Sequence, residues 1–350
     1  MPSVYTFPPE WHSHDATWIA WPHHEPDWPG KIGPIPWVYA EIARVLSRYE
    51  RVEILCHDET VRASCAELLA AHGVTRNTRL HVVPNDRVWL RDSAPTFVHD
   101  SAGRVQLANW AFNAWAKYDN FARDAEVGRA IARITGLPRL EPARPDSKGR
   151  LVLEGGGIET DGEGTLLVTE EWLLSDVQVR NPGLDRDDYE RAFREHLGIR
   201  HTIWLGEGCV GDDTHGHVDD IARFVAPGVI VLAYEDDPAD DENHRRSEDN
   251  MRRLELAGAG RGSLKVVRLP YPRAVTMNGE RLPASYANFY IANGVVLVPT
   301  FNDRNDRIAL NTIAALMPDR HVIGVHAVDL VWGFGTLHCL TQQQPTAMGR

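Results

Sequence analysis

The sequence predicts an α/β fold in which five similar strand–strand–helix–strand (ββαβ) units are arranged with pseudo-symmetry around one centre. Three observations predict it. A polar motif is followed by a hairpin, a loop, a helix and a strand, and this order recurs along the chain. Residues able to do chemistry recur at one phase: Asp92, Glu154, His217 and Cys339 lie 62, 63 and 122 residues apart, the last being twice 61. The start of the chain supplies a strand, helix and strand without a hairpin motif of its own, so the C-terminal strands are expected to complete that first unit. Similar units that close radially place equivalent loops around one centre. The missing landmark falls near 278, beside the SYANF motif. One domain over 1–350 follows, against the two-domain prior from length.

Each element has its own signal. Ala16–Trp21 reads as a strand, followed by a loop rich in Pro, His and Trp up to Pro36. Val38, Ile42, Val45, Leu46 and Tyr49 keep helical spacing and predict a helix over 37–49. Val52–Cys56 is a strand, and Asp58 is an N-cap for a helix with Val61, Cys65, Leu68 and Leu69 on one face. That stripe assigns Cys65 to the core. Leu80–Val83 is the next strand. NDRVWLRD (85–92) precedes a hairpin from Thr96 to Asn109 turned at Asp100–Gly103, and a helix carrying Val127, Ile131 and Ile134. LEGGG (153–157) precedes a hairpin to Thr169 turned at DGEG, a helix near 187–197 and a strand near 201–205. GDDTHGHVDD (211–220) precedes a hairpin from Ile221 to Tyr234 turned at Pro227–Gly228, and a charged helix over 241–256. PASYANFYIANGVVLVP (283–299) turns at Asn293–Gly294 and leads to a helix near 305–316 and a strand near 321–326. The acidic run at 235–242 reads as a solvated loop and helix start.

Bulk properties narrow the function classes. The 350 residues carry 37 Lys and Arg against 49 Asp and Glu, a formal net charge of −12. That argues against nucleic-acid binding, which needs a basic face, and suits a cationic small ligand. Four cysteines without paired short spacings are neither a disulfide framework nor a zinc knuckle. MPSVYTFPPEW has no basic region followed by an apolar one, so no secretory signal is expected. No apolar run approaches the ~18 residues of a membrane span. A reduced, cytoplasmic enzyme without membrane association is the expectation.

Of the four thiols, Cys339 in GFGTLHCLTQQQP is the one flanked by glycines, a histidine and amide side chains. A thiol needs a base or a nearby cation to become a nucleophile, and His217 supplies acid–base capacity near neutral pH. Asp92, Glu154 and Asp219 exceed the single orienting partner of a protease-like triad. Carboxylates are the best planar partners of a guanidinium, so one thiol, one imidazole and three carboxylates suit attack on a guanidinium carbon. A bound cation would also lower the thiol pKa. Each residue has a plainer reading beside this one. Cys339 could be a small buried hydrophobe, Asp92 half of a surface ion pair with Arg91, and Glu154 a turn carboxylate. In HxD, alternation along a strand would turn His217 and Asp219 to one side. His215 and His217 with Asp212, Asp213 and Asp219 could instead hold a metal. Trp89 and Trp115 read more readily as core than as ligand-stacking residues.

The motifs NDRVWLRDSAPTF, NWAFNAWAKY, LEGGG, DDTHGHVDDIARF, SYANFY and LHCLTQQQP, in this order, resemble those of the agmatine deiminase family, which belongs with the bacterial peptidylarginine deiminases in the guanidino-group-modifying superfamily. The opening PPEWHSHDATWIAWPHHEPDW is similar as well, so the resemblance spans essentially the whole chain. It implies a five-bladed α/β propeller of ββαβ units, the pentein type, and hydrolytic deimination of a small cationic guanidine without metal or organic cofactor. It implies Cys339 as nucleophile, forming a thiouronium intermediate, and His217 as general acid and then base. Asp92 and Asp219 would clamp the guanidinium, and Glu154 would hold substrate and orient His217. Trp89 and Asp213 would contact the substrate's chain and distal amine. Homodimers or larger homo-oligomers are the family's habit. Two positions depart from the pattern: Phe334 stands in GFG where glycine is usual, and Ala116 follows NAW in place of glycine. Both bear on substrate length.

Overall fold

The structure, a computed structural model, describes residues 5–259 and 264–349. Its helices and strands alternate in a mixed α/β arrangement, and the sheets repeat one local order. In each, a hairpin of two antiparallel strands is followed by a helix that returns the chain to a third strand, parallel to the second. Glu159–Thr160 pairs antiparallel with Thr165–Thr169, which runs parallel to His201–Leu205. Ala222–Ala226, Val229–Tyr234 and Lys265–Pro270 repeat the pattern, as do Tyr290–Ala292, Val295–Thr300 and His321–His326. Thr96–Asp100, Val105–Ala108 and Arg139–Leu140 do so with Tyr5–Thr6 added at the edge.

A fifth sheet joins the two ends of the chain. Gln342–Pro345 pairs antiparallel with His14–Ala20, which runs parallel to Arg51–Cys56 and on to Thr78–Val82. A C-terminal strand thus supplies the hairpin partner missing from the N-terminal unit. Trp18 Nε1 donates to Gln344 Oε1 at 3.0 Å and fixes this register from the side chains.

The helices begin and end where local chemistry directs. Asp58 accepts the Val61 N–H at 2.8 Å and starts Glu59–Ala71, whose inner face buries Cys65 and Leu69. A reciprocal Asp185/Asp188 capping box starts Arg186–Leu197, and Gly198 ends it at φ 73°. The first long helix is Ile35–Leu46, not 37–49: Pro34 and Pro36 favour an earlier start, since a first-turn proline loses no hydrogen bond. The charged helix runs on to Ala259. Unforeseen is a two-stranded ribbon, Thr276–Met277 with Glu280–Arg281. It occupies the predicted position near 278 and carries none of the site residues.

A single tight turn stands before the first strand of each hairpin: Leu90–Ser93, Gly155–Gly157, Val218–Asp220, a Ser285–Asn288 turn, and Leu337–Leu340. These turns hold or adjoin the polar residues singled out by spacing.

Candidate active site

Cys339 lies in the turn Leu337–Leu340 and is 8% exposed, onto a cavity of about 430 Å³. Asp92, Trp89, Trp115, Tyr118, Asp27, Asp213 and Phe334 line the same cavity. The loop before the cysteine requires glycine at Gly335, where a Cβ would fall 2.7 Å from the Trp89 ring and 3.1 Å from Cys339 Cβ. Phe334 has φ 65°, the left-handed region that glycine enters freely. Here a phenyl side chain takes that strained backbone and forms part of the cavity wall.

Asn288 holds the thiol. Its Nδ2 donates to Cys339 Sγ at 3.1 Å and to Asp220 Oδ1 at 2.9 Å. Its Oδ1 accepts from Thr336 Oγ1 at 2.6 Å and from the His338 N–H at 3.0 Å. Cys339 Sγ is also 3.8 Å from Asp219 Oδ2. Burial pushes the thiol well above its ordinary pKa, and the charges of Asp219, Asp220 and Asp92 push it further the same way. The resting sulfur therefore carries its proton at neutral pH.

Asp219 Oδ2 accepts from His338 Nδ1 at 2.6 Å, while His338 Nε2 contacts Glu10 Oε2 at 2.7 Å. Burial alone would raise the Asp219 pKa, but these His338 contacts and His217 hold it below the usual range. Its other oxygen, Oδ1, is buried and has no hydrogen-bond partner. An orphaned carboxylate oxygen is costly, and a guanidinium N–H is the kind of donor it lacks.

His217 stands at the start of the turn Val218–Asp220 and bridges two carboxylates. Its Nε2 is 3.4 Å from Glu154 Oε2 and its Nδ1 is 3.8 Å from Asp92 Oδ1. Burial would depress the imidazole pKa, but Asp92, Glu154 and Asp219 outweigh it and raise it to about 9. Glu154, though wholly buried, is held at about 2 by Arg180, His217 and the Trp172 indole N–H, 2.6 Å away. Asp92 goes the other way. Burial and its acidic neighbours Asp219 and Glu154 raise it to about 6 despite His217 and the Trp115 N–H at 2.8 Å. At neutral pH the chamber holds a thiol, an imidazolium and at least two carboxylates.

Gly156 ties these groups together. A Cβ built there would lie 2.6 Å from His217 Nδ1, 2.9 Å from Asp92 Oδ1 and 3.1 Å from Asp219 Oδ2. The three side chains surround one point of backbone, and Gly156 N–H donates to Asp92 at 2.9 Å. Asp219 Oδ2, one of the three atoms around that point, is also the oxygen that stands 3.8 Å from Cys339 Sγ.

Asp92, Glu154, His217, Asp219 and Cys339 converge, and Trp89 and Asp213 line the cavity outside them. Asp92 is buried and forms no surface pair: Arg91, also buried, turns away to Glu10 at 3.2 Å. His217 and Asp219 do not alternate on a strand. They flank Val218 in one helical turn, and that turn brings both inward. Trp89 and Trp115 are at once largely buried and part of the cavity lining. The suggested metal group disperses. Asp212 caps the backbone N–H groups of Thr214, Gly216 and His217, His215 contacts Ser175, and Asp213 is bound by Lys117 and Tyr118. Asp219, Asp220 and Cys339 do have ligand atoms within 4.8 Å of one another. Asp220 is held by Asn288, and burial and its acidic neighbours raise its pKa well above the ordinary range. The repeat spacing points to neither Asn288 nor Glu10, and it gives His338, though next to Cys339 in sequence, no role. Asn288 sits inside the SYANF motif, which was the available signal.

Known proteins share this arrangement of chain. The model of the Porphyromonas-type peptidyl-arginine deiminase family matches residues 6–345. The chain is 37% identical to the agmatine deiminase of Stutzerimonas stutzeri (strain A1501), covering 99% of this chain and 97% of that one. It is 35% identical to the agmatine deiminase of Ectopseudomonas mendocina (strain ymp), over 99% and 96%. The solved agmatine deiminase of Enterococcus faecalis superposes with a TM-score of 0.89 at 29% identity, covering 98% of this chain and 96% of that one.

Proposed function

The chain belongs to the Porphyromonas-type peptidyl-arginine deiminase family, and from that premise we propose that it is a hydrolase of guanidines that converts agmatine and water to N-carbamoylputrescine and ammonia. One observation carries the reading: a thiol and a carboxyl group, Cys339 and Asp92, line one cavity, and an imidazolium and two further carboxylates are packed directly behind them, the set that a flat cation needs. We read the fold as a pentein, with five ββαβ units closing into a propeller and the whole chain forming one catalytic domain. Five sheets of common order, the last built from both chain ends, support this.

In the mechanism we infer, the guanidinium enters between Asp92 and the free Oδ1 of Asp219. Its charge offsets the carboxylates that hold the Cys339 proton on, so the thiol ionises as substrate binds and its proton leaves to solvent. The thiolate attacks the guanidinium carbon, forming an S–C bond and a neutral tetrahedral adduct. His217, protonated at neutral pH, gives its proton to one amino group, the C–N bond breaks and ammonia departs, leaving a thiouronium. The now neutral imidazole takes a proton from water as its oxygen bonds to the carbon. Collapse of this second adduct breaks the C–S bond and forms the urea carbonyl, and the adduct's hydroxyl proton passes to the departing sulfur, restoring the resting thiol. Glu154, anchored by Arg180 and Trp172, orients His217. Trp89 would flank the substrate's chain and Asp213 its distal amine. No metal or organic cofactor has a step in this scheme.

The compartment we propose is the cytoplasm. The free thiols Cys56, Cys65, Cys209 and Cys339 fit a reducing environment, and no described helix is long and apolar enough to cross a membrane. A homo-oligomer is an expectation taken from the family alone. The deciding assay is ammonia release and ureido product from agmatine, arginine and peptidyl arginine, with wild type and Cys339→Ala. Agmatine should be the best substrate, and the variant should lose at least about 10³-fold in kcat while still binding guanidinium. Agmatine as the poorest substrate would overturn the assignment in favour of another guanidine. Undiminished turnover by the variant would overturn the mechanism.

A further inference from the structure

The cavity has two electrostatic zones. Asp92 and Cys339 line its floor, and the buried Asp219, Glu154 and His217 stand behind them. Its mouth carries two more carboxylates, Asp27 and Asp213, and each already faces a cation of this chain. Asp27 lies 3.7 Å from Arg87 and 3.0 Å from His24. Asp213 Oδ1 accepts from Lys117 Nζ at 2.5 Å, and its Oδ2 accepts from Tyr118 OH at 2.8 Å.

The Lys117–Asp213 contact is built into the backbone. Lys117 follows Ala114, Trp115 and Ala116, three successive residues at φ 48°, 60° and 52°. Left-handed backbone in non-glycine residues persists only where the surroundings hold it. Here Gln178 Nε2 donates to both Trp115 O and Asp213 O, each at 3.1 Å, and pins the two loops together. The Trp115 indole is fixed on Asp92. The ammonium of Lys117 is therefore delivered to Asp213 by the same turn that shapes the floor.

A guanidine whose far end is a primary ammonium brings a second positive charge to this mouth. Asp213 is the carboxylate proposed to meet it, and Lys117 already offsets its charge. We propose that Lys117 is a specificity-determining residue: a tethered ammonium that weakens the cavity's hold on a distal cation and leaves a guanidine with an uncharged tail unaffected. The inference rests on the agmatine reading for its substrate. The Lys117 side chain is 40% exposed and Asp213 only 15%. A pair so open to water is weak and screened, so the expected effect is about two- to fivefold.

The test compares agmatine with n-butylguanidine, which lacks the distal charge, in wild type, Lys117→Met and Lys117→Arg. For Lys117→Met, the agmatine KM should fall about two- to fivefold while the n-butylguanidine KM stays put; Lys117→Arg should restore the wild-type ratio. An agmatine KM that is unchanged or raised, a parallel shift for both compounds, or equal behaviour of the Met and Arg variants would each overturn the proposal. Absence of turnover by wild type would sink the reaction and not this inference. In that event, calorimetric binding of both compounds to Cys339→Ala, with and without Lys117→Met, decides by the same selective gain for agmatine. No such gain overturns it.

Discussion

Gly156→Ala tests the site without removing a single charged or reactive group. The added methyl would stand 2.6 Å from His217 Nδ1, 2.9 Å from Asp92 Oδ1 and 3.1 Å from Asp219 Oδ2. None of the three can yield freely. His217 is held between Glu154 and Asp92, Asp92 by Trp115 and the Gly156 N–H itself, and Asp219 by His338. Nδ1 would have to withdraw from 2.6 Å to the 3.4 Å where ordinary contact begins. A misplacement of that order in a catalytic group costs about 10²-fold. Overpacking a close-packed interior costs about 1–3 kcal/mol of stability, which leaves a domain of this size folded. Steady-state ammonia release should show kcat down about 10²-fold, while urea denaturation shows a cooperative transition at a modestly lower midpoint. Gly33→Ala is the control, since a Cβ there meets nothing within 4 Å. A Gly156→Ala enzyme that keeps kcat within about threefold of wild type would show that these side chains need not hold their positions.

The same geometry fixes four further outcomes. In a pH profile, kcat/KM should rise as Asp92 ionises through about 6 and fall as His217 loses its proton through about 9, because one works as a carboxylate and the other as an acid; a profile flat across both limbs would refute those roles. His217 is raised above its unfolded value near 6.5, so its stabilisation is fully present below that pH and is lost as pH rises through about 9; the stability gap between wild type and His217→Asn should shrink over that window in urea titrations. Glu10→Ala leaves Arg223 and Arg91 buried without their shared carboxylate, 2.8 and 3.2 Å away, and should cost about 3–5 kcal/mol; a loss under about 1 kcal/mol by denaturation would remove the network's structural weight. Ala116→Gly relieves a left-handed residue at φ 52° and should stabilise by roughly 0.5–1 kcal/mol after the entropic cost of glycine, read as a raised urea midpoint; a lowered midpoint would mean that the strain is absent.

Asp92, Glu154, His217 and Cys339 were legible as a set because each lies in or beside the turn before a hairpin, so a repeat in sequence becomes a shared position in space. The capped helices were legible for a related reason, since Asp58 and Asp185 act on N–H groups three residues away. The joining of the two chain ends was also readable, from a unit that lacked a hairpin. The partners that tune the site are of another kind. Asn288 meets Cys339 across 51 residues and Glu10 meets His338 across 328, and neither separation is a multiple of the repeat. The ribbon at Thr276–Arg281 also delays its unit's turn, which is why the extrapolated position near 278 missed Asn288. Periodicity therefore locates the groups that converge, whereas their protonation is set by neighbours that no spacing rule reaches. Asp92 and Glu154 make the point. Both are wholly buried carboxylates at the same phase, yet Arg180 and Trp172 hold one at about 2 while acidic neighbours leave the other at about 6. Roles that depend on charge state must accordingly be read from the packed chamber, and roles that depend only on position can be read from the chain.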